Sequence, residues 1–222
     1  MTVADTPSQQ SRSTKAPKGE IGQGGIAHAR IADEDQDRAA LYNLLGSALE
    51  RPVGGEWLTA ASRLVGGDGP LGEAIDALAL AASRMSAQSA AREYQDLFIG
   101  IGRGELVPFG SYYLTGFLHE KPLALLRADM AKLGVERDPA SKEPEDHAAA
   151  LCQMMAGFIA GAFGPSLPLD EQKRFYVAHV GSWMPYFFRD LENAQSGQIY
   201  KEIGRIGRLF LEIEGRAFEM VN

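Results

Sequence analysis

The sequence predicts an all-α fold: a single globular bundle of about nine or ten helices around a buried central helix, preceded by a disordered polar tail. Three observations predict it. In segment after segment from about Asp33 to Met220 the apolar residues recur at i, i+3, i+4 and i+7, and no segment alternates with period two. The stretch from about 143 to 163, EPEDHAAALCQMMAGFIAGAF, has Gln153 as its one strongly polar side chain after Ala148, and a helix apolar almost all round is a buried one. Glycine and proline cluster between the periodic segments, as at Gly66-Gly67 and Gly164-Pro165, where a helix must stop.

In chain order, residues 1–32 are rich in Ser, Thr, Gln, Gly and Lys without apolar period, so they are expected to be disordered and dispensable for folding. Residues 33–222 then form the helical domain. Its first helix is expected from about Asp33 to Glu50, carried by Leu41, Leu44, Leu45, Ala48 and Leu49 and ended by Arg51-Pro52. Helices follow over about Glu56–Val65, Pro70–Met85 and Ala87–Phe98. Ile99 to Gly110 holds four glycines and a proline in twelve residues, too many for a helix interior. A short helix over Ser111–Leu118 and another over Pro122–Leu133, capped by Gly134, lead to the central helix. There the acids Glu143, Glu145 and Asp146 and the proline Pro144 read as a first helical turn, since proline suits N1 and carboxylates meet the positive end of the dipole. Pro168–Asn193 is expected to be kinked or divided at Pro185, and the last helix, about Ile199–Met220, shows a stripe of Ile199, Ile203, Ile206, Phe210, Ile213 and Ala217.

The bulk properties narrow the function. About 190 residues remain after the tail, enough for one domain that buries roughly 70% of its unfolded surface and needs no staples. The single cysteine, Cys152, lies in the central helix, so there is no disulfide framework, which fits a reducing compartment. No apolar run approaches the ~20 residues of a membrane span, and the N-terminus lacks the apolar core of a secretory signal. The net charge of −7 disfavours nucleic acid and anionic membranes and suits cationic peptides. A cytoplasmic protein is expected.

Chemical motifs are few. Gly100, Gly102 and Gly104 form G-x-G-x-G, but neither the Lys-Ser/Thr of a phosphate loop nor a preceding strand accompanies them. Glu143, Asp146, His147 and Cys152 lack the spacing of metal ligands, and His147 reads better as a buried ring hydrogen-bonded at a helix start. No nucleophile signature is present, so no enzyme activity and no cofactor are expected. The alternatives are acid–base chemistry by Glu143, Asp146 and His147, or a non-catalytic helical scaffold. Tyr94, Phe98, Phe109, Tyr112 and Tyr113 crowd the glycine loop, where aromatics beside an acidic helix start suit a basic, partly apolar peptide.

These residues also resemble a family. Glu143-Pro144-Glu145-Asp146-His147 matches the E-P-x-D-H signature of the TorD/DmsD-like redox-enzyme maturation chaperones. Upstream, Tyr94-x-x-Leu97-Phe98-x-Gly100 and Pro108-Phe109-Gly110-Ser111-x-Tyr113 resemble that family's second block, in the same order. The resemblance implies an all-helical cytoplasmic chaperone. Its partner would be the twin-arginine signal peptide and the apo form of a molybdopterin-dependent oxidoreductase, held from export while cofactor is inserted. The client could be of formate dehydrogenase, dimethyl sulfoxide reductase or trimethylamine N-oxide reductase type, and a homodimer could form by helix exchange. The resemblance places Tyr94, Leu97, Phe98, Pro108, Phe109, Ser111, Tyr113, Glu143, Asp146 and His147, with Tyr42 as a looser match, on the peptide groove. Tyr94, Phe109 and Tyr113 stand where the family often has tryptophan, and Gly100-Ile101-Gly102 replaces its Gly-Pro.

Overall fold

The computed structural model describes residues 23–101, 103–137 and 143–221, with side chains from residue 34 onward. Among these lie ten α-helices and no strand: α1 (Gln23–Glu50), α2 (Gly55–Ala61), α3 (Gly69–Arg84), α4 (Ala87–Tyr94), α5 (Gly110–Thr115), α6 (Lys121–Lys132), α7 (Ala148–Ala160), α8 (Leu169–Phe175), α9 (Met184–Glu192) and α10 (Ile199–Met220). The all-α expectation is met.

Helix α7 is the centre. Leu151, Cys152, Met154, Met155, Phe158 and Ile159 are all buried, and the small residues between them let neighbours approach. The chief neighbour is α1. A Cβ on Gly46 would stand 3.3 Å from the Ala149 carbonyl oxygen and from Cys152 Cβ, so a bare glycine sets this crossing. Helix α10 packs on α9 and α3, and a Cβ on Gly207 would run into the Phe188 ring. Gly161, at φ +74°, ends α7 in the left-handed conformation that glycine adopts without strain.

Several boundaries differ from the sequence pattern, each for a local reason. Helix α1 begins at Gln23, ahead of the expected Asp33, and residues 1–22 of the expected tail lie outside the described residues. The fourth helix runs on as a π-helical turn over Gln95–Ile99, closed by Gly100 N–H donating to the Gln95 carbonyl at 2.7 Å. A second π-helical turn, Tyr176–Val180, follows α8. Pro185 lies in the first turn of α9, where its missing N–H costs nothing, so the division falls at Gly181–Trp183 instead.

The stripe of α10 also shifts. Ile213 and Ala217 are exposed, and the buried face runs through Ile203, Gly207, Phe210, Leu211, Glu214 and Phe218. A carboxylate on the core side is admissible because Arg38 of α1 grips it, Nε to Oε1 at 2.7 Å and Nη2 to Oε2 at 3.0 Å, and Tyr42 Oη donates to Oε2 at 3.0 Å. Burial opposes the charge on Arg38, yet the bonds to Glu214 raise its pKa further above the ordinary arginine value. The clasp ties the first helix to the last.

Leu151 is 1% exposed at the centre of α7. Leu151→Ala is expected to cost roughly 2–5 kcal/mol by leaving a cavity the surrounding helices cannot close. Urea denaturation of the two proteins measures it, and a loss under about 1 kcal/mol would mean that α7 is not central.

Candidate functional site: an acidic cleft beside a three-way clamp

The Glu143–His147 segment does not start a helix. No acid occupies the first turn of α7, and His147 is its N-cap, with extended backbone at φ −65° and ψ 138°. The reason is a tertiary partner. His147 and Phe109 form an isolated antiparallel bridge, in which Gly110 N–H donates to the Asp146 carbonyl and Ala148 N–H to the Pro108 carbonyl, both at 2.9 Å. That bridge follows a turn over Pro144–His147, closed by His147 N–H on the Pro144 carbonyl at 3.1 Å, and delays the helix to Ala148, so the central helix is Ala148–Ala160 rather than about 143–163.

Three consecutive side chains then serve three elements. Glu145 Oε2 accepts from Nε and Nη2 of Arg127 on α6 at 3.0 and 2.8 Å. Burial raises the Glu145 pKa, but Arg127 outweighs it and holds the carboxyl below the usual range. Asp146 Oδ2 accepts the Ser111 N–H at 2.7 Å, satisfying a donor at the start of α5. His147 Nδ1 accepts the Ala149 N–H at 3.1 Å, capping α7, and its ring stands edge-on to Phe109 at 4.9 Å. Asp146 Oδ1 and the Ser111 hydroxyl are buried without partners among the described residues.

The other motif residues form two further groups. Tyr94 donates to the Leu49 and Glu50 carbonyls at 3.2 and 3.3 Å, at the end of α1, and stacks edge-on with Phe98, which meets Tyr200. Burial pushes the Tyr94 hydroxyl up to about 12, helped by the charges of Glu143 and Glu50, so these two carboxylates lie near it. Leu97 is fully buried below. Tyr113 packs on Trp183 and Phe187 with ring centroids at 5.4 and 6.0 Å and donates to Asp190 at 3.1 Å. A Cβ on Gly110 would strike the Trp183 indole nitrogen at 2.9 Å, so the glycine lets α5 sit on that ring. Tyr42, enclosed with Glu214 and Phe210, is not brought to any of these.

Between the end of α1, α6 and the start of α7 lies a cleft of about 250 Å³. Glu50, Glu136 and Glu143 line it with exposed carboxylates, Met130, Met154 and Phe163 supply apolar wall, and the His147 ring contributes one side. Glu50, Arg127 and Trp183 are outside the set expected from sequence. Glu50 had one available signal, a charge at the end of an apolar helix just before Arg51-Pro52. Burial pushes the His147 pKa down to about 4, so the ring is neutral at pH 7 with Nδ1 already engaged, poorly suited to take a proton. Among the described residues no three His, Cys, Asp or Glu side chains gather to hold a metal ion, and no helix is long and apolar enough to cross a membrane.

Two predictions follow from this geometry. Asp146, 3% exposed, holds a buried N–H, so Asp146→Ala should cost about 1–3 kcal/mol, whereas Asp146→Asn, which keeps an acceptor, should cost less. Chemical denaturation of both variants gives the comparison, and equal costs would show that the bond to Ser111 is not what matters. For His147 the folded pKa lies below the unfolded one, so its contribution is present in full above about pH 6.5 and is lost as pH falls toward about 4. The stability of the native protein relative to His147→Asn should shrink by about 3 kcal/mol from pH 7 to pH 4. A difference that stays flat would mean the ring is not held neutral.

Comparison with known proteins places this architecture. The family model described as nitrate reductase delta subunit matches residues 66–189, more than half of the chain. The chain is 27% identical over 146 residues to the chaperone protein TorD of Vibrio cholerae, covering 62% of this chain and 66% of that protein. To TorD of Vibrio vulnificus it is 29% identical over 139 residues, covering 59% and 62% respectively. The chain thus spans just under two thirds of the length of these relatives. A crystal structure described as that of a redox enzyme maturation protein from Archaeoglobus fulgidus shares the fold, with a TM-score of 0.52 at 18% identity over 90% of this chain and 99% of that one. By the motifs, the fold and the family match together, this chain belongs to the nitrate reductase delta subunit family, the TorD-like group that its sequence resembles.

Proposed function

We propose that the protein is a cytoplasmic, non-enzymatic chaperone that binds the twin-arginine leader and apo form of a molybdopterin-dependent oxidoreductase, assisting cofactor insertion and proofreading before export. The observation that carries this reading is the cleft itself: exposed carboxylates of Glu50, Glu136 and Glu143 around a wall of Met130, Met154 and Phe163. A leader presents paired guanidiniums followed by an apolar stretch, which is the complementary arrangement. The names of the relatives support the chaperone class.

Within that reading the motif residues divide by burial. Glu143 is exposed, Phe98, Phe109 and Tyr113 are half-buried, and these offer contact surface. Tyr94, Leu97, Pro108, Ser111, Asp146 and His147 are buried and act chiefly by holding the surface in shape, and Tyr42 does so from the α1–α10 clasp. Residues 33–222 form the chaperone domain, with α1 extending ahead of it to Gln23. Exchange of helices between two copies would give a homodimer.

Titration calorimetry with a synthetic leader tests the proposal. An Arg-Arg leader should bind, and changing it to Lys-Lys should weaken binding about tenfold, because lysine keeps the charge but not the bidentate fork. Added salt should weaken it only in part, since apolar contacts are not screened. Equal binding of the two leaders would refute guanidinium recognition.

A further inference from the structure

Helices α3, α4 and α10 line a second cavity, a trough of about 570 Å³ that shares no residue with the cleft at the start of α7. Helix α3 contributes Ala77, Leu80, Ala81 and Arg84, and Met85 follows it. Helix α4 contributes Ser89, Arg92 and Glu93, and α10 contributes Glu202 together with its N-cap Gln198. On each helix the spacing is three or four residues, so each presents one face to the trough. The α3 face is apolar up to its last residue, with Leu80 52% exposed.

The charges of the trough run against those of the chain. The net charge is −7, yet Arg84 and Arg92 line it together, both exposed, and neither has an ion pair or a side-chain hydrogen bond among the described residues. Each lies in the last turn of its helix, where any cation suits the dipole. Two guanidiniums lining one space can do more, since their planar forks match a carboxylate. The acids beside them are placed differently. Glu93 Oε2 accepts the Gln198 and Ile199 N–H groups at 2.9 and 3.0 Å, and Glu202 has Oε2 buried without a hydrogen-bond partner among the described residues.

These features set the chemistry of an occupant. A multiply charged anion would bring several negative charges into a space that also holds Glu93 and Glu202, whereas a single carboxylate is outnumbered by the two arginines. Leu80 and Met85 offer apolar surface, and the exposed Gln198 amide carries the donor and acceptor that a peptide backbone complements. We propose that the trough docks an extended peptide segment with one carboxylate next to an apolar residue. Arg84 and Arg92 share the carboxylate, Leu80 and Met85 cover the apolar side chain, and Gln198 pairs with the backbone. The segment is opposite in charge to an arginine leader, so the proposal stands or falls apart from leader binding.

The test uses the full chain with three probes: the capped peptide acetyl-Ala-Leu-Glu-Ala-Leu-amide, its counterpart with Gln for Glu, and inorganic phosphate. Calorimetry should show the Glu peptide binding and the Gln peptide binding about tenfold more weakly. Arg84→Gln and Arg92→Gln should each weaken the Glu peptide about tenfold and leave the Gln peptide unchanged. Arg92→Lys keeps the charge at the helix end but not the fork, and should weaken the Glu peptide as well. In the native protein the Leu80 methyl resonances should shift with the Glu peptide and stay put with phosphate, a readout that does not depend on any variant. Equal binding of the two peptides, or Glu-peptide binding that survives both substitutions to glutamine, would overturn the proposal. So would arginine-dependent binding of phosphate without binding of the Glu peptide, which would make the trough a small-anion site, and so would the failure of every probe to bind.

Discussion

The carboxylate of Asp146 accepts the Ser111 N–H at 2.7 Å inside the protein, and the placing of three helices follows from that buried bond. It fixes the start of α5, and through the bridge between His147 and Phe109 it fixes where α7 can begin. Glu145 on one side pulls in α6 through Arg127, and His147 on the other caps α7. A charge-assisted bond shielded from water is strong when made and costly when broken, since the abandoned partner remains buried. Glu145 and Asp146 form a turn that His147 N–H closes on the Pro144 carbonyl at 3.1 Å, and the two side chains leave it toward different partners, Arg127 and the Ser111 N–H. That is how one short motif reaches three helices at once.

The clamp and the cleft draw on the same stretch of chain. Glu145, Asp146 and His147 are buried, whereas Glu143, two residues earlier, is exposed at the cleft. Glu50 arrives from the opposite side, at the end of α1, and Tyr94 ties that end down by donating to the Leu49 and Glu50 carbonyls. The cleft is bounded by the ends of α1 and α6, the start of α7, and the non-helical residues Val135–Arg137 and Glu143–Pro144.

What the sequence made legible follows from which interactions are local. The buried core of α7 is readable because Leu151 to Ile159 is apolar on every side but for Gln153, whatever its neighbours are. The start of α7 was misread because Glu143-Pro144-Glu145-Asp146 imitates a first turn, while the partner that overrides it, Ser111, is 35 residues away. The α10 stripe slipped for the same reason. Ile213 fits the periodicity, but Glu214 takes the inward position because Arg38 and Tyr42, the latter 172 residues away in sequence, receive it. The motif residues read as one set in the sequence, yet the structure sorts them into three groups, leaves Tyr42 apart and sets Glu50 beside the cleft. Spatial neighbours from distant helices leave no periodic trace.

Amide hydrogen exchange tests the clamp most directly. If it works as one unit, the amides of Gly110, Ser111, Ala148 and Ala149 should exchange with the same opening free energy and the same dependence on denaturant, that of global unfolding. The contrary result would be Gly110 and Ser111 exchanging through a local opening while Ala148 and Ala149 stay protected. In that case α5 would be hung loosely on a preformed α7, and the motif would not be what holds the three helices together.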